Sequence, residues 1–323
     1  MSNNVNHFSF FLKQQSDADW AGVINDLPIH PVDRRATRIW FAFFPLKLQR
    51  ALSTNPEEKA KDLLLKGKYL LAEQVDSSAE FLYGHRYWPD VKRVVAEYAA
   101  TSTSAAPLAA QIREVARRLA AKANTEESLL TGITAVAFAT LQQVGYDAFS
   151  LPAQPGAYGE DWKKSPAEIV KERERDDGQG ALWFLKTVDK EFTVNFREYE
   201  PGCTFKIMNM QDVTMAASFD KRPHHLRDER CLAGEGPIPV ECRTSSCGTC
   251  WVGVLSPTEK ISPPSEREIS RWRYFGYQGF TGGEDSPIRL ACQMKAYGNV
   301  TIVIPPWNGL IGKLDEGEES EAA

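Results

Sequence analysis

The chain has 323 residues, 42% hydrophobic and 25% charged, with a net charge of −5 at pH 7. That length suits two domains of ordinary size, and the acidic balance argues against a general affinity for nucleic acid. No basic stretch followed by an apolar core opens the chain, and the longest mostly apolar run, Leu129 to Leu141, falls short of the ~20 residues a membrane span needs. The expectation is a cytoplasmic protein without a membrane span or secretory signal.

Residues 1–150 read as an all-α helical domain. Ser16-Asp17-Ala18-Asp19 opens a helix through Leu27, with acids in its first turn. Asp33 to Leu52 is a second candidate, which Pro45 should kink or end. Asn55-Pro56-Glu57-Glu58 is a start signal, and Leu63, Leu64, Tyr69, Leu70 and Leu71 recur after it at helical spacing. Further helices are expected over Pro89–Ala99, over Pro107–Ala121, and from Thr125-Glu126-Glu127 to about Val144. Trp20, Trp40, Tyr83, Tyr87 and Trp88 suit either a helix-bundle core or a partner-docking surface. His7, His30 and His85 are scattered, and no catalytic motif occurs in this half.

Residues 151–187 look like a linker. A Pro/Gly-rich stretch, Leu151 to Gly156, is followed by a short charged helix opened by Ser165-Pro166 and ended by Gly178-Gln179-Gly180. From Lys190 the period changes to two. Phe192, Val194 and Phe196 alternate with Thr193, Asn195 and Arg197, which reads as a half-buried strand. Glu200-Pro201-Gly202 is a turn, Thr204–Met210 a second strand, and Val213–Phe219 a short helix.

The chemistry is concentrated in Pro239–Val252. Cys242, Cys247 and Cys250 are spaced C-x4-C-x2-C, and Cys292 follows 42 positions after Cys250. Four thiolates so spaced suit a [2Fe–2S] cluster. Small residues, Ser245, Ser246, Gly248 and Thr249, let the backbone curl so that amide N–H groups face the sulfurs. Structural zinc would usually pair two C-x2-C knuckles, whereas Cys292 stands alone. Disulfides would require an oxidising compartment, for which the chain gives no sign. Trp251–Leu255 should be a strand, and Ser262-Pro263-Pro264-Ser265-Glu266 precedes a helix carrying Ile269, Trp272 and Phe275. Arg267, Arg271 and Arg273 on that helix make either a solvated basic face, a site for an acidic partner, or a screen over the cysteine loop. Gly282 to Asp285 is a loop, Ile288–Gln293 carries Cys292, and Asn299–Ile304 is a closing strand stopped by Pro305-Pro306. His224 and His225 lack the spacing of Rieske ligands and read as surface or partner-facing, while Cys203 and Cys231 read as free thiols. Five acids, Asp315, Glu316, Glu318, Glu319 and Glu321, load residues 307–323, an acidic tail that would solvate itself or steer a basic redox partner.

The cysteine loop, with Trp251-Val252-Gly253-Val254 after it and Leu290-Ala291-Cys292 further on, resembles the plant-type [2Fe–2S] ferredoxin domain, a β-grasp fold, over residues 188–306. No family is recognised for the first half. The resemblance implies that Cys242 and Cys247 ligate one iron and Cys250 and Cys292 the other. This chain departs from the family in having Ser245 where a glycine is usual, and in an insertion before Cys292. The expected fold class is therefore α+β, an N-terminal helical domain followed by a C-terminal β-grasp ferredoxin-like domain. The expected role is one-electron transfer with a [2Fe–2S] cofactor, as a carrier or as a subunit of a larger complex, with a reductase or oxidoreductase complex as partner. Whether the chain is itself an enzyme stays open, since no GxGxxG loop, flavin motif or second cysteine cluster occurs. The alternative is a redox-sensing or metal-stapled binding module.

Overall fold

A computed structural model describes residues 3–153, 163–177, 190–277 and 286–308, with side chains from His7 onward. The expected Gly178–Gly180 stop, the Gly282–Asp285 loop and the acids of the tail lie outside the described residues. The protein is mixed α+β. It divides into two compact units: Met1–Pro56 with Leu70–Pro166, and Glu57–Tyr69 with Ala167–Ala323.

The first unit is helical among its described residues. It contains α1 (Asn3–Lys13), α2 (Asp17–Asp26), α3 (Pro31–Phe43) and α4 (Leu46–Leu52). After α5 (Pro56–Asp62), most of which belongs to the second unit, it continues with α6 (Trp88–Thr101), α7 (Leu108–Ala123) and α8 (Glu127–Phe149). Ser16 caps α2 in a capping box with Asp19. The Asp33–Leu52 candidate is two helices, separated at Phe44-Pro45 because proline lacks the amide a continuous helix requires. α8 is regular as far as Val144 and breaks at Gly145, whose φ of 80° and ψ of 166° are not helical.

Leu129 to Leu141 is buried without interruption, and α1, α3, α6 and α7 pack around it. By length and hydropathy α8 could cross a membrane, yet 72% of its apolar window is buried inside the structure, the pattern of a core helix. Trp20, Trp40, Tyr83 and Trp88 are buried with it, which is the core reading of these aromatics; Tyr87 is half-buried. His30 caps α3, accepting from the Val32 amide at 3.1 Å, His85 is buried, and His7 is exposed.

The second unit holds a five-stranded mixed sheet. Its strands are β2 (Glu191–Asn195), β3 (Thr204–Met208), β4 (Trp251–Val254), β5 (Ile288–Leu290) and β6 (Val300–Val303). The spatial order is β3-β2-β6-β4-β5; β2 and β6 are parallel and the other pairs antiparallel. Phe192 and Val194 are buried while Glu191, Thr193 and Asn195 are not, as the alternation requires. The short helix α10 (Val213–Ala217) packs on β3, capped by Asp212.

Three expectations need correction. The leucines from Leu63 to Leu71 do not continue α5. Leu64 takes φ 55° and Gly67 φ 76°, conformations that end a helix. Lys66–Gly67 is instead a strand, β1, paired antiparallel with β7 (Trp307–Asn308). Residues 57–69 therefore belong with the second unit and not with an uninterrupted domain over 1–150. The short helix expected inside a linker, α9 (Pro166–Glu174), also packs into the second unit. Its Ile169 is fully buried, and Arg173 forms a two-point ion pair with Glu198.

Candidate metal centre

The loop before β4 changes direction through three left-handed residues: Arg243 at φ 52°, Ser245 at 59° and Gly248 at 72°. Ser245 thus holds, as an L-residue, a conformation that glycine adopts without strain. It is almost fully buried, and its hydroxyl donates to the Thr244 carbonyl at 2.6 Å. At Gly248 a Cβ would collide with the ring of Phe275, so the loop and the helix α11 (Glu266–Phe275) meet in direct contact there.

The curl aims donors at sulfur. Cys242 Sγ accepts from the amides of Thr244 at 3.4 Å, Ser246 at 3.3 Å and Cys247 at 3.3 Å. Cys247 Sγ accepts from the Thr249 hydroxyl at 3.1 Å. Cys292 Sγ accepts from Gln293 Nε2 at 3.5 Å and from the Ser245 amide. The thiols also interact with each other two by two, Cys242 with Cys247 and Cys250 with Cys292. The pairs lie close enough that Cys247 acts electrostatically on Cys250, and Cys242 on Cys292.

Burial disfavours the Cys242 thiolate, but the amide and thiol donors around it outweigh burial and bring the thiol down to about 6. In the second pair, the hydrogen bond to Cys292 comes first and burial second, and together they raise the Cys250 thiol well above its ordinary range. The same hydrogen bond lowers Cys292, against its own burial, with help from Gln293 and Ser245. Cys242 and Cys247 are half-buried, whereas Cys250 and Cys292 are buried.

Two supports hold the pieces in place. Phe275 and Tyr277 pack edge-on around Trp251, the residue after Cys250, at centroid distances of 5.5 Å and 4.9 Å. Glu268 on α11 and Arg289 on β5 form an ion pair of 2.8 Å and 2.9 Å, both side chains essentially without exposure. Glu268 Oε1 also accepts from the Leu290 amide at 2.8 Å, and Arg289 donates to the Ser262 carbonyl at 2.8 Å. This pair fixes the strand that ends two residues before Cys292. Sequence reading missed it, although Glu268 shares the i, i+4, i+7 stripe of the buried Trp272 and Phe275.

The other cysteines and histidines stand apart from this chemistry. Cys231 donates to the Pro237 carbonyl at 3.4 Å, and burial, with Asp228 nearby, pushes its thiol up to about 12. Cys203 is buried and raised for the same first reason. His224 is half-buried, with Nε2 2.9 Å from Asp220 and its ring edge-on to Phe196. His225 is half-buried too.

Among the described residues no three His, Cys, Asp or Glu side chains converge to hold a single metal ion. A four-cysteine zinc site would bring all its sulfurs around one centre, whereas a two-iron group asks for two sulfurs per iron. The donor set here, four thiols in two adjoining pairs, fits the second demand. Comparison of the chain with family models, with curated proteins and with solved structures finds no match in any of the three.

Proposed function

We propose that this chain is a one-electron transfer protein whose Cys242, Cys247, Cys250 and Cys292 hold a [2Fe–2S] cluster, serving as a carrier or as an electron-transfer subunit of a larger redox complex. The observation that carries this reading is the cysteine loop itself. Three backbone amides donate to Cys242 Sγ, and the four thiols adjoin in the pairs Cys242–Cys247 and Cys250–Cys292. Those are the pairs the ferredoxin resemblance assigns to each iron. The β2–β3 hairpin, the short α10 and the mixed five-stranded sheet support a β-grasp ferredoxin-like domain over residues 188–306.

Bound to such thiolates, the group supplies reversible storage of one electron. The protein's own part is threefold. Amide donors around Cys242 stabilise negative charge on sulfur. Cys250 is itself buried, and the residue after it, Trp251, is buried with Phe275 and Tyr277. Cys242 and Cys247, half-buried, leave one edge within reach of a redox partner protein. Such a partner is a reductase or an oxidoreductase complex, and the helical unit is a means of choosing it.

Iron and acid-labile sulfide counted in the purified protein and in Cys247→Ser test the assignment. Two of each per wild-type chain, lost in the variant, are expected; a variant with full iron and sulfide and an unchanged visible spectrum sinks it.

A further inference from the structure

The α11 flank beside the cysteine loop carries positive charge that no carboxylate among the described residues matches. At 100° per residue, Arg267, Arg271 and Tyr274 share one flank, Glu268, Trp272 and Phe275 face the core, and Glu266, Ile269 and Arg273 lie on the opposite flank. The first flank is the one against the loop, since Arg267 donates to the Ser246 hydroxyl at 3.2 Å. Three ion pairs involve the loop, the helix or their neighbours in sequence. Glu241 holds Lys66 at 2.7 Å, Arg243 holds Glu235 at 2.7 Å, and Glu268 holds Arg289. Arg267 and Arg271 have no carboxylate within ion-pairing distance among the described residues. Arg267 meets only a hydroxyl. Arg271 lies 5.3 Å over the ring of Tyr274, and its Nε is buried without a hydrogen-bond partner there. Tyr274 is 49% exposed.

We infer that this flank, with Ser246 at its edge, is a docking surface for the acidic face of a partner protein. Arginine and tyrosine are the side chains that concentrate binding energy at protein interfaces. An arginine stacked on a ring presents its fork to a carboxylate at little further entropic cost. The overall charge of −5 does not oppose this, because fields beyond about 10 Å are screened at ordinary salt. A nucleic-acid backbone is a poorer fit, since stable tracking uses about 6–10 phosphate contacts and the flank offers two arginines. The inference rests on the proposed electron-transfer reading for its purpose. Carboxylates placed on Arg267 and Arg271 bring the partner over Ser246, next to the half-buried Cys242 and Cys247.

The test uses the full chain as purified, with iron and sulfide counted on the same sample. A fluorescein-labelled oligoglutamate peptide is titrated at low and at physiological salt and followed by anisotropy. Single-stranded oligothymidylate and phosphatidylserine vesicles are the competing probes. The expected result is salt-sensitive peptide binding that weakens about tenfold in Arg267→Gln/Arg271→Gln. Arg267→Lys/Arg271→Lys should weaken it by less than the Gln pair, since lysine keeps the charge and loses the stacked fork, and Arg273→Gln on the opposite flank should change nothing. Equal affinity in the double Gln variant overturns the inference, as does tighter Arg267/Arg271-dependent binding of the oligonucleotide or the vesicles. Arginine-dependent peptide binding by an iron-free sample supports the surface while removing the electron-transfer reading. An iron-loaded sample that does not bind the peptide overturns the surface alone.

Discussion

Glu268→Gln is the sharpest perturbation of the framework behind the cysteine loop. The carboxylate is fully buried, holds Arg289 through two contacts of 2.8 Å and 2.9 Å, and accepts from the Leu290 amide. Neutralising it leaves a guanidinium in an environment with almost no solvent exposure. Removing one partner of a buried pair costs about 3–5 kcal/mol, because the remaining charge is uncompensated. Replacing both partners with apolar side chains of similar volume removes that burden and is often close to neutral. Glu268→Gln should therefore lower the opening free energy of the β4–β5 ladder by about 3 kcal/mol or more, and Glu268→Leu/Arg289→Met by much less. Hydrogen exchange at the Val252 amide, on the strand residue paired with Arg289, reads this locally, which matters because a chain of two units need not unfold in one step. A Gln variant within about 1 kcal/mol of wild type, or a double variant as damaged as the single one, would refute the reasoning. Because β5 leads into Cys292, the Gln variant should also lose metal faster to a chelator, and the double variant should recover.

Three further outcomes are expected. Ser245→Gly relieves a left-handed L-residue, and urea unfolding should show a gain of about 0.5–1 kcal/mol with iron retained; a loss would mean that the Ser245 hydroxyl bond matters more than the backbone. Gly67→Ala places a Cβ against the Pro306 carbonyl and the Arg230 side chain at φ 76°. It should cost at least about 1–2 kcal/mol and raise exchange at the β1–β7 amides, whereas Gly22→Ala, with nothing nearby, should not. Burial works against the Asp220 carboxylate, but hydrogen bonds from Arg222 and His224 outweigh it and lower the group from 3.8 to about 2. A depressed folded value contributes stability above the unfolded value, and that contribution is lost as pH falls through the folded one. Thermal unfolding of Asp220→Asn should accordingly show a deficit at neutral pH that shrinks between pH 3.8 and about 2; a deficit independent of pH would contradict the charge assignment.

What the sequence disclosed depended on the range of the signal. The period-two run of Phe192 and Val194 and the Ser262–Glu266 stretch before α11 are local signals, and they marked β2 and the start of α11. Pro45 was legible as a helix break for the same reason. The pairing of β1 with β7 was not, because a two-residue strand has no period and its partner lies at the far end of the chain. The leucines after α5 mimicked helical spacing, but Leu64 and Gly67 adopt backbone angles that no periodicity reports. At the site, the C-x4-C-x2-C spacing singled out Cys242, Cys247 and Cys250, and the ferredoxin resemblance added Cys292. Neither could name the Glu268–Arg289 pair, since a charged residue on an apolar stripe reads as surface until its partner is seen.

The most direct test of the central claim is a visible and EPR spectrum of the purified chain, oxidised and dithionite-reduced, with iron and acid-labile sulfide counted. Two irons and two sulfides per chain, a visible band that bleaches on reduction, and a rhombic S = 1/2 signal in the reduced sample are expected. A colourless protein that carries one zinc per chain would contradict that claim and leave a metal-stapled binding module in its place.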